Sequence, residues 1–185
     1  MSELNSLFVK VKIKKNKLDD FLKSKPKQLK IDANWLEWWD SREMYGKNEL
    51  SQDDLSSYEQ PDNQSIVDTW KNNKRSGGFS EYDSENGIWN FGIVFFGENY
   101  YEMIPGFGFI KSIADYIEHD IGNFAIVFDF FWGSNEVNAF IDFNEEKGCF
   151  KPTAKVKSDI NPENLKYAEI YLNKKTEEFS KAHED

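Results

Sequence analysis

The sequence predicts a single α+β domain, a mainly antiparallel sheet of four or five strands packed against helices. Three observations carry this expectation. Residues 123–143 read as a β-hairpin. Strand-like and helix-like segments follow one another without the regular strand–helix–strand rhythm of a doubly wound parallel sheet. At 185 residues the chain has the usual size of one domain and is long enough to bury a core without a disulfide or metal. The domain is expected to span 1–185, with polar, loop-rich sequence within 45–86. Aromatic residues make up 16% of the chain, and each buried ring removes about 150–250 Å² from water. The core should therefore be rich in aromatics.

Residues 7–14 alternate, with Leu7, Val9, Val11 and Ile13 on one side and mostly lysine on the other. This predicts a half-buried strand, and its lysine face suits a sheet edge or a solvent-facing surface. The segment from Asn16 to Leu22 reads as a short helix ending before Pro26. Over 33–46, Trp35, Trp38 and Trp39 fall at i, i+3 and i+4, a contiguous stripe on a helix capped by Asn34 and stopped by Gly46. A strand would instead separate Trp38 from the other two. Residues 47–64 read as loop, and Ile66, Val67 and Trp70 as one or two helical turns before the Gly77-Gly78 break.

Residues 88–96 alternate as a strand, apolar on one face and partly so on the other. After Pro105, the spacing of Phe109, Ile110, Ile113, Tyr116 and Ile117 predicts an amphipathic helix. Residues 123–132 are apolar at nearly every position except Asp129, as a central strand covered on both faces would be. The Gly133-Ser134-Asn135 turn leads into a second alternating run over 137–143, completing the hairpin. A turn at Glu145-Glu146-Lys147-Gly148 and a short strand around Cys149 and Phe150 follow. Asn161-Pro162-Glu163 has the cap, the first-turn proline and the acid that open a helix, whose apolar face is Leu165, Ala168, Leu172 and Phe179.

Acids outnumber bases 33 to 23, for a formal charge of −10. Residues 1–30 hold nine Lys against three acids, whereas 31–69 and 87–150 each hold ten acids against two bases. Such a field repels phosphate backbones and favours basic partners, so no nucleic acid is expected. No segment approaches the length of an apolar membrane span or reads as a signal peptide. The lone Cys149 excludes an intrachain disulfide, and a reducing cytoplasm is the expected compartment.

No motif carries chemistry. Glu118-His119-Asp120 sits at a helix end, where consecutive side chains diverge by about 100°. Cys149 reads as a buried, inert thiol, and Gly106-Phe107-Gly108 lacks the third glycine and the preceding strand of a dinucleotide loop. No nucleophile elbow, phosphate loop or zinc set appears, so neither catalytic residues nor cofactor or metal is expected. The tryptophan stripe is read first as core and second as an interface or stacking surface.

Two functions follow. The first is an acidic binding module that occludes a basic protein partner, of the kind a bacterial immunity protein uses against a toxin or nuclease. Its contact residues are expected in the polar segments: Asp53, Asp54, Glu59, Asp62 and Asp68, with Glu81, Asp83 and Glu85 beside them. The second is a small-ligand protein or carboxylate-dependent enzyme, with a pocket between the sheet and helix 107–118 and Asp129 beside Trp132 as the buried acid.

Overall fold

A computed structural model describes residues 3–143 and 147–183. It is the expected antiparallel α+β arrangement, with six strands among the described residues. Strands β1 (Asn5–Lys12), β2 (Gly78–Asp83), β3 (Ile88–Gly97), β4 (Phe124–Phe128), β5 (Val137–Asp142) and β6 (Cys149–Phe150) lie in the order β2-β3-β1-β4-β5-β6. Every neighbouring pair is antiparallel. Helices α1 (Lys15–Lys23), α2 (Ala33–Asp40), α3 (Asn63–Asn72) and α4 (Tyr100–Ser112) supply the core on one face, and α5 (Pro162–Lys181) covers the other.

The first face is the aromatic core the composition predicts. Trp89 and Phe91 of β3 stack at 4.1 Å, Phe21 of α1 meets Phe109 edge-on at 5.3 Å, and Trp38 of α2 stacks on Phe150 at 4.5 Å. Offset and edge-on pairs of this kind add to the stabilisation from burial alone. The Trp35, Trp38, Trp39 stripe is core, with all three rings buried. On the second face Phe8, Phe79, Phe124 and Phe128 pack against Ala168 and Leu172 of α5. Gly92 allows strands and ring to close up there: a Cβ would stand 2.2 Å from the Leu7 carbonyl oxygen and 2.8 Å from the Phe79 ring.

Several elements differ from expectation. Strand β1 is central, between β3 and β4, because Phe8 gives it a second apolar face that α5 buries. Lys10 keeps its charge near solvent, its ammonium 4.4 Å from the centre of the Tyr167 ring. The cap of helix α2 lies two residues before the proposed one: Asp32, not Asn34, accepts the Trp35 N–H at 2.9 Å. It ends at Asp40, before Gly46, because Ser41 Oγ donates to the Trp38 carbonyl and Lys47 Nζ to that of Trp39. Gly46, at φ +70°, serves a turn instead.

Helix α4 starts at Tyr100, capped by Asn99, and passes through Pro105. An interior proline costs a helix about 3 kcal/mol, which the complete burial of Met103, Ile104, Phe107 and Ile110 offsets. The antiparallel pairing of β4 with β5 and the start of α5 are as predicted, Asn161 accepting the Glu163 N–H at 2.9 Å and Pro162 opening the helix. Strand β4, however, ends at Phe128 rather than running on to Trp132, because Asp129 accepts the Trp132 and Ser134 N–H groups and turns the chain away from the sheet. Glu145 and Glu146 of the predicted turn lie outside the described residues.

Candidate functional site

The first-named acidic residues fall in three places, and local donors claim several of them. Asp54 accepts the N–H and hydroxyl of Ser51, both at 2.8 Å, and Asp62 caps α3 through the Ser65 N–H. Asp68 accepts from Gln64 at 2.9 Å. Asp83 organises the β2–β3 turn, accepting from the N–H groups of Glu85 and Asn86. Short acids beside helix starts and turns meet such donors routinely. Glu81 points to the α5 face, where it is bonded to Lys175 and Tyr171. Asp53, Glu59 and Glu85 are exposed. Helix α3 lies over the opposite face from Glu81, so the structure does not gather the eight residues on one patch.

On the side of helix 107–118 that meets the central strands the expected pocket is packed with side chains, and the open space beside this helix lies instead against residues 27–35 and 147–149. Phe107, Ile110 and Ile113 are fully buried, and Phe109 meets Phe21, Trp70 and Phe91. Glu118 and Asp120 do not converge on His119. They face lysines near β1, Glu118 to Lys14 at 3.9 Å and Asp120 to Lys12 at 3.7 Å. His183 lies between the carbonyls of Phe179 and Lys74. Cys149 is half-buried on β6 rather than buried. Among the described residues no cluster of His, Cys, Asp and Glu could hold a metal ion.

An acidic cleft opens instead at one end of the sheet, where β1 and β5 begin and β3 and β4 end. Its volume is about 390 Å³, and Glu3, Glu43, Glu98, Asp129 and Glu136 line it without any Lys or Arg. Trp132 also lines it, at 46% exposure. Asn138 lies against it on β5. Its backbone carbonyl accepts the Trp38 indole N–H at 3.1 Å and its side chain meets Tyr100, but among the described residues its buried Oδ1 has no hydrogen-bond partner. Buried acceptors are rarely left so.

Asp129 is the fixed point of the cleft. Its two oxygens accept the Trp132 and Ser134 N–H groups, each at 2.7 Å, which folds the β4–β5 connection back and places Trp132. Burial pushes the Asp129 carboxyl up, but the hydrogen bonds from Trp132 and Ser134 and the charge of Lys157 outweigh it and hold the group below the usual carboxylate range. A carboxylate has about four lone-pair sites, so Asp129 can still accept from a ligand. Asp129 and Trp132, expected beside a pocket between sheet and helix, stand together in this cleft instead. Glu3, Glu43, Glu98 and Glu136 carry no local signal, because strand order and the placement of the loop after α2 bring them together.

Acid should weaken the fold at several separate places, the cleft among them. Asp129, Glu81, Asp62, Asp83 and Asp159 are all held below their ordinary values. A depressed folded value contributes stability above the unfolded value, about 4, and loses it as pH falls through the folded one. Asn at 129 can accept only one of the two N–H groups, so Asp129→Asn is expected to cost about 1–3 kcal/mol at pH 7. Urea midpoints at pH 7 and pH 3 should show that gap narrowing in acid, and an unchanged gap would remove Asp129 from the acid response.

No family model, curated protein or solved structure matches the chain. Among the described residues no helix is long and apolar enough to cross a membrane.

Proposed function

We propose that the chain is a binding protein that occludes a basic protein partner, as a bacterial immunity protein occludes a cytoplasmic toxin or nuclease. The observation that supports this reading is the cleft lined by five carboxylates and an exposed indole. An arginine or lysine entering it meets acceptors, and Trp132 offers a face for cation–π contact. Tryptophan is among the residues enriched at interface hot spots. In this reading the exposed Asp53, Glu59 and Glu85 add to the field that draws a basic partner in, which raises association rates more than affinity.

The test compares the wild-type chain with the triple variant Glu43→Lys, Glu98→Lys, Glu136→Lys, all three positions being exposed. An arginine-rich peptide serves as a defined probe in salt-dependent binding kinetics. Affinity capture from lysate at low salt is run on both proteins in parallel. The expected result is an association rate lower by about 10–10³-fold for the variant, a flattened salt dependence, and basic proteins retained by the wild type alone. Equal retention by both proteins, or no peptide binding by the wild type, would remove the reading.

A further inference from the structure

A second concave site lies between the segment 27–35, the C-terminal half of α4 and residues 147–149. It encloses about 660 Å³, within the range of small-molecule sites, about 300–1,000 Å³. Its walls include Leu29, Ala33, Trp35 and Ala114, and at Gly108 the helix runs so close that a Cβ would overlap the Leu29 side chain. In a chain of net charge −10 this groove is cationic, with Lys27, Lys30, Lys111 and Lys147 on its lining. The two acids there are already engaged: Asp32 Oδ1 caps α2, and Asp115 pairs with Lys27 at 3.3 Å.

Lys111 is the anomaly. It is half-buried, with its ammonium 5.0 Å from the centre of the Trp35 ring and 4.5 Å from that of Phe150. Among the described residues no carboxylate lies within ion-pair distance of it, and its acceptor is Asn34 Oδ1 at 3.1 Å. That amide is already committed to β6, accepting the Phe150 N–H at 2.8 Å and donating to the Phe150 carbonyl at 3.0 Å. An ammonium has three donors, and here they share part of one neutral oxygen. Burial lowers the Lys111 ammonium to about 8, with the charges of Asp32 and Cys149 working against the shift and that of Lys147 with it. A desolvated cation in a cleft, with no carboxylate among the described residues at ion-pair distance, is a binding-site signature.

We propose that this groove binds an amphipathic monocarboxylate, its apolar body against Leu29, Ala33, Trp35 and Ala114 and its carboxylate paired with Lys111. One inward cation among apolar walls suits a single negative charge. An inorganic polyanion would gain nothing from the walls, and a neutral amphiphile nothing from the lysine. The site is separate from the acidic cleft and stands whether or not that cleft binds a basic protein.

Titration calorimetry with decanoate, decanol and inorganic phosphate tests it. The expected result is saturable one-to-one binding of decanoate at pH 7, at least about tenfold tighter than decanol, with no heat from phosphate. Lys111→Met should weaken decanoate at least about tenfold and leave decanol unchanged. In the wild type, decanoate affinity should fall about tenfold per pH unit above pH 8 as Lys111 loses its proton, and Cys149→Ser should keep that midpoint. The pH profile decides the matter alone if Lys111→Met fails to fold. The triple glutamate variant should bind decanoate normally. Equal binding of decanol, tight phosphate binding, absence of saturable decanoate binding, or a wild-type affinity flat from pH 7 to pH 9 would each overturn the proposal.

Discussion

Replacing Arg42 by alanine is expected to lower the unfolding free energy by about 3–5 kcal/mol, because buried charge-assisted hydrogen bonds are worth more than neutral ones and their orphaned partners stay desolvated. Arg42 lies just beyond α2, is 4% exposed, and reaches under the sheet edge. Its guanidinium donates to the carbonyls of Val137 at 2.8 Å, Ala154 at 2.9 Å and Pro152 at 3.2 Å. One side chain thus ties α2, the start of β5 and the segment after β6 together. Burial pushes the guanidinium below its ordinary value, and the carboxylates of Glu136 and Asp159 act in the other direction. Lysine keeps the charge but not the planar fork, so Arg42→Lys should recover only part of the loss. Urea denaturation read by midpoint and slope measures both variants, and a loss under about 1 kcal/mol for Arg42→Ala would mean that the carbonyls find other donors.

Trp38→Ala is expected to cost a comparable amount, about 3–5 kcal/mol, through lost burial and the cavity left behind. The Trp38 ring is fully buried among Trp35, Trp39, Tyr100, Phe107 and Phe150. No single neighbour can move to fill the space, since each of these rings is itself held by others. Trp38→Phe keeps an aromatic face but removes the indole N–H from the Asn138 carbonyl, and should cost less than the alanine variant but still more than about 1 kcal/mol. Thermal melts and urea titrations give both values. Because Asn138 lines the acidic cleft, the phenylalanine variant should also weaken binding of an arginine-rich peptide there. Unaltered peptide affinity would show that the Asn138 strand holds its place without the indole.

Signals acting within about four residues were legible in the chain. The alternation over 88–96, the β4–β5 hairpin, the capped start of α5 and the tryptophan stripe depend on caps, turns and periodicity, which need only neighbours, and with them came the antiparallel α+β class. Strand β2 was missed because Gly78–Asp83 has one buried residue, Phe79, and gains its place by pairing with β3. Helix α4 looked interrupted at Pro105, since the burial that outweighs a proline is invisible until the sheet is in place. The lysines of β1 suggested an edge, whereas Phe8, the residue that makes the strand central, matters only once α5 lies over it.

Both proposed sites belong to the tertiary level. The cleft draws on residues 3, 43, 98, 129, 136 and 138, which meet because antiparallel order brings the ends of four strands to one side and the loop after α2 lies beside them. Lys111 looks like an ordinary polar-face lysine in sequence, and becomes unusual only when α2 and β6 enclose it and Asn34 is spent on Phe150. Charge and composition determined by themselves that this protein is acidic and aromatic-cored. Where its carboxylates converge and where a half-buried ammonium meets a neutral amide oxygen was decided by chain topology, because desolvation and long-range proximity have no local code.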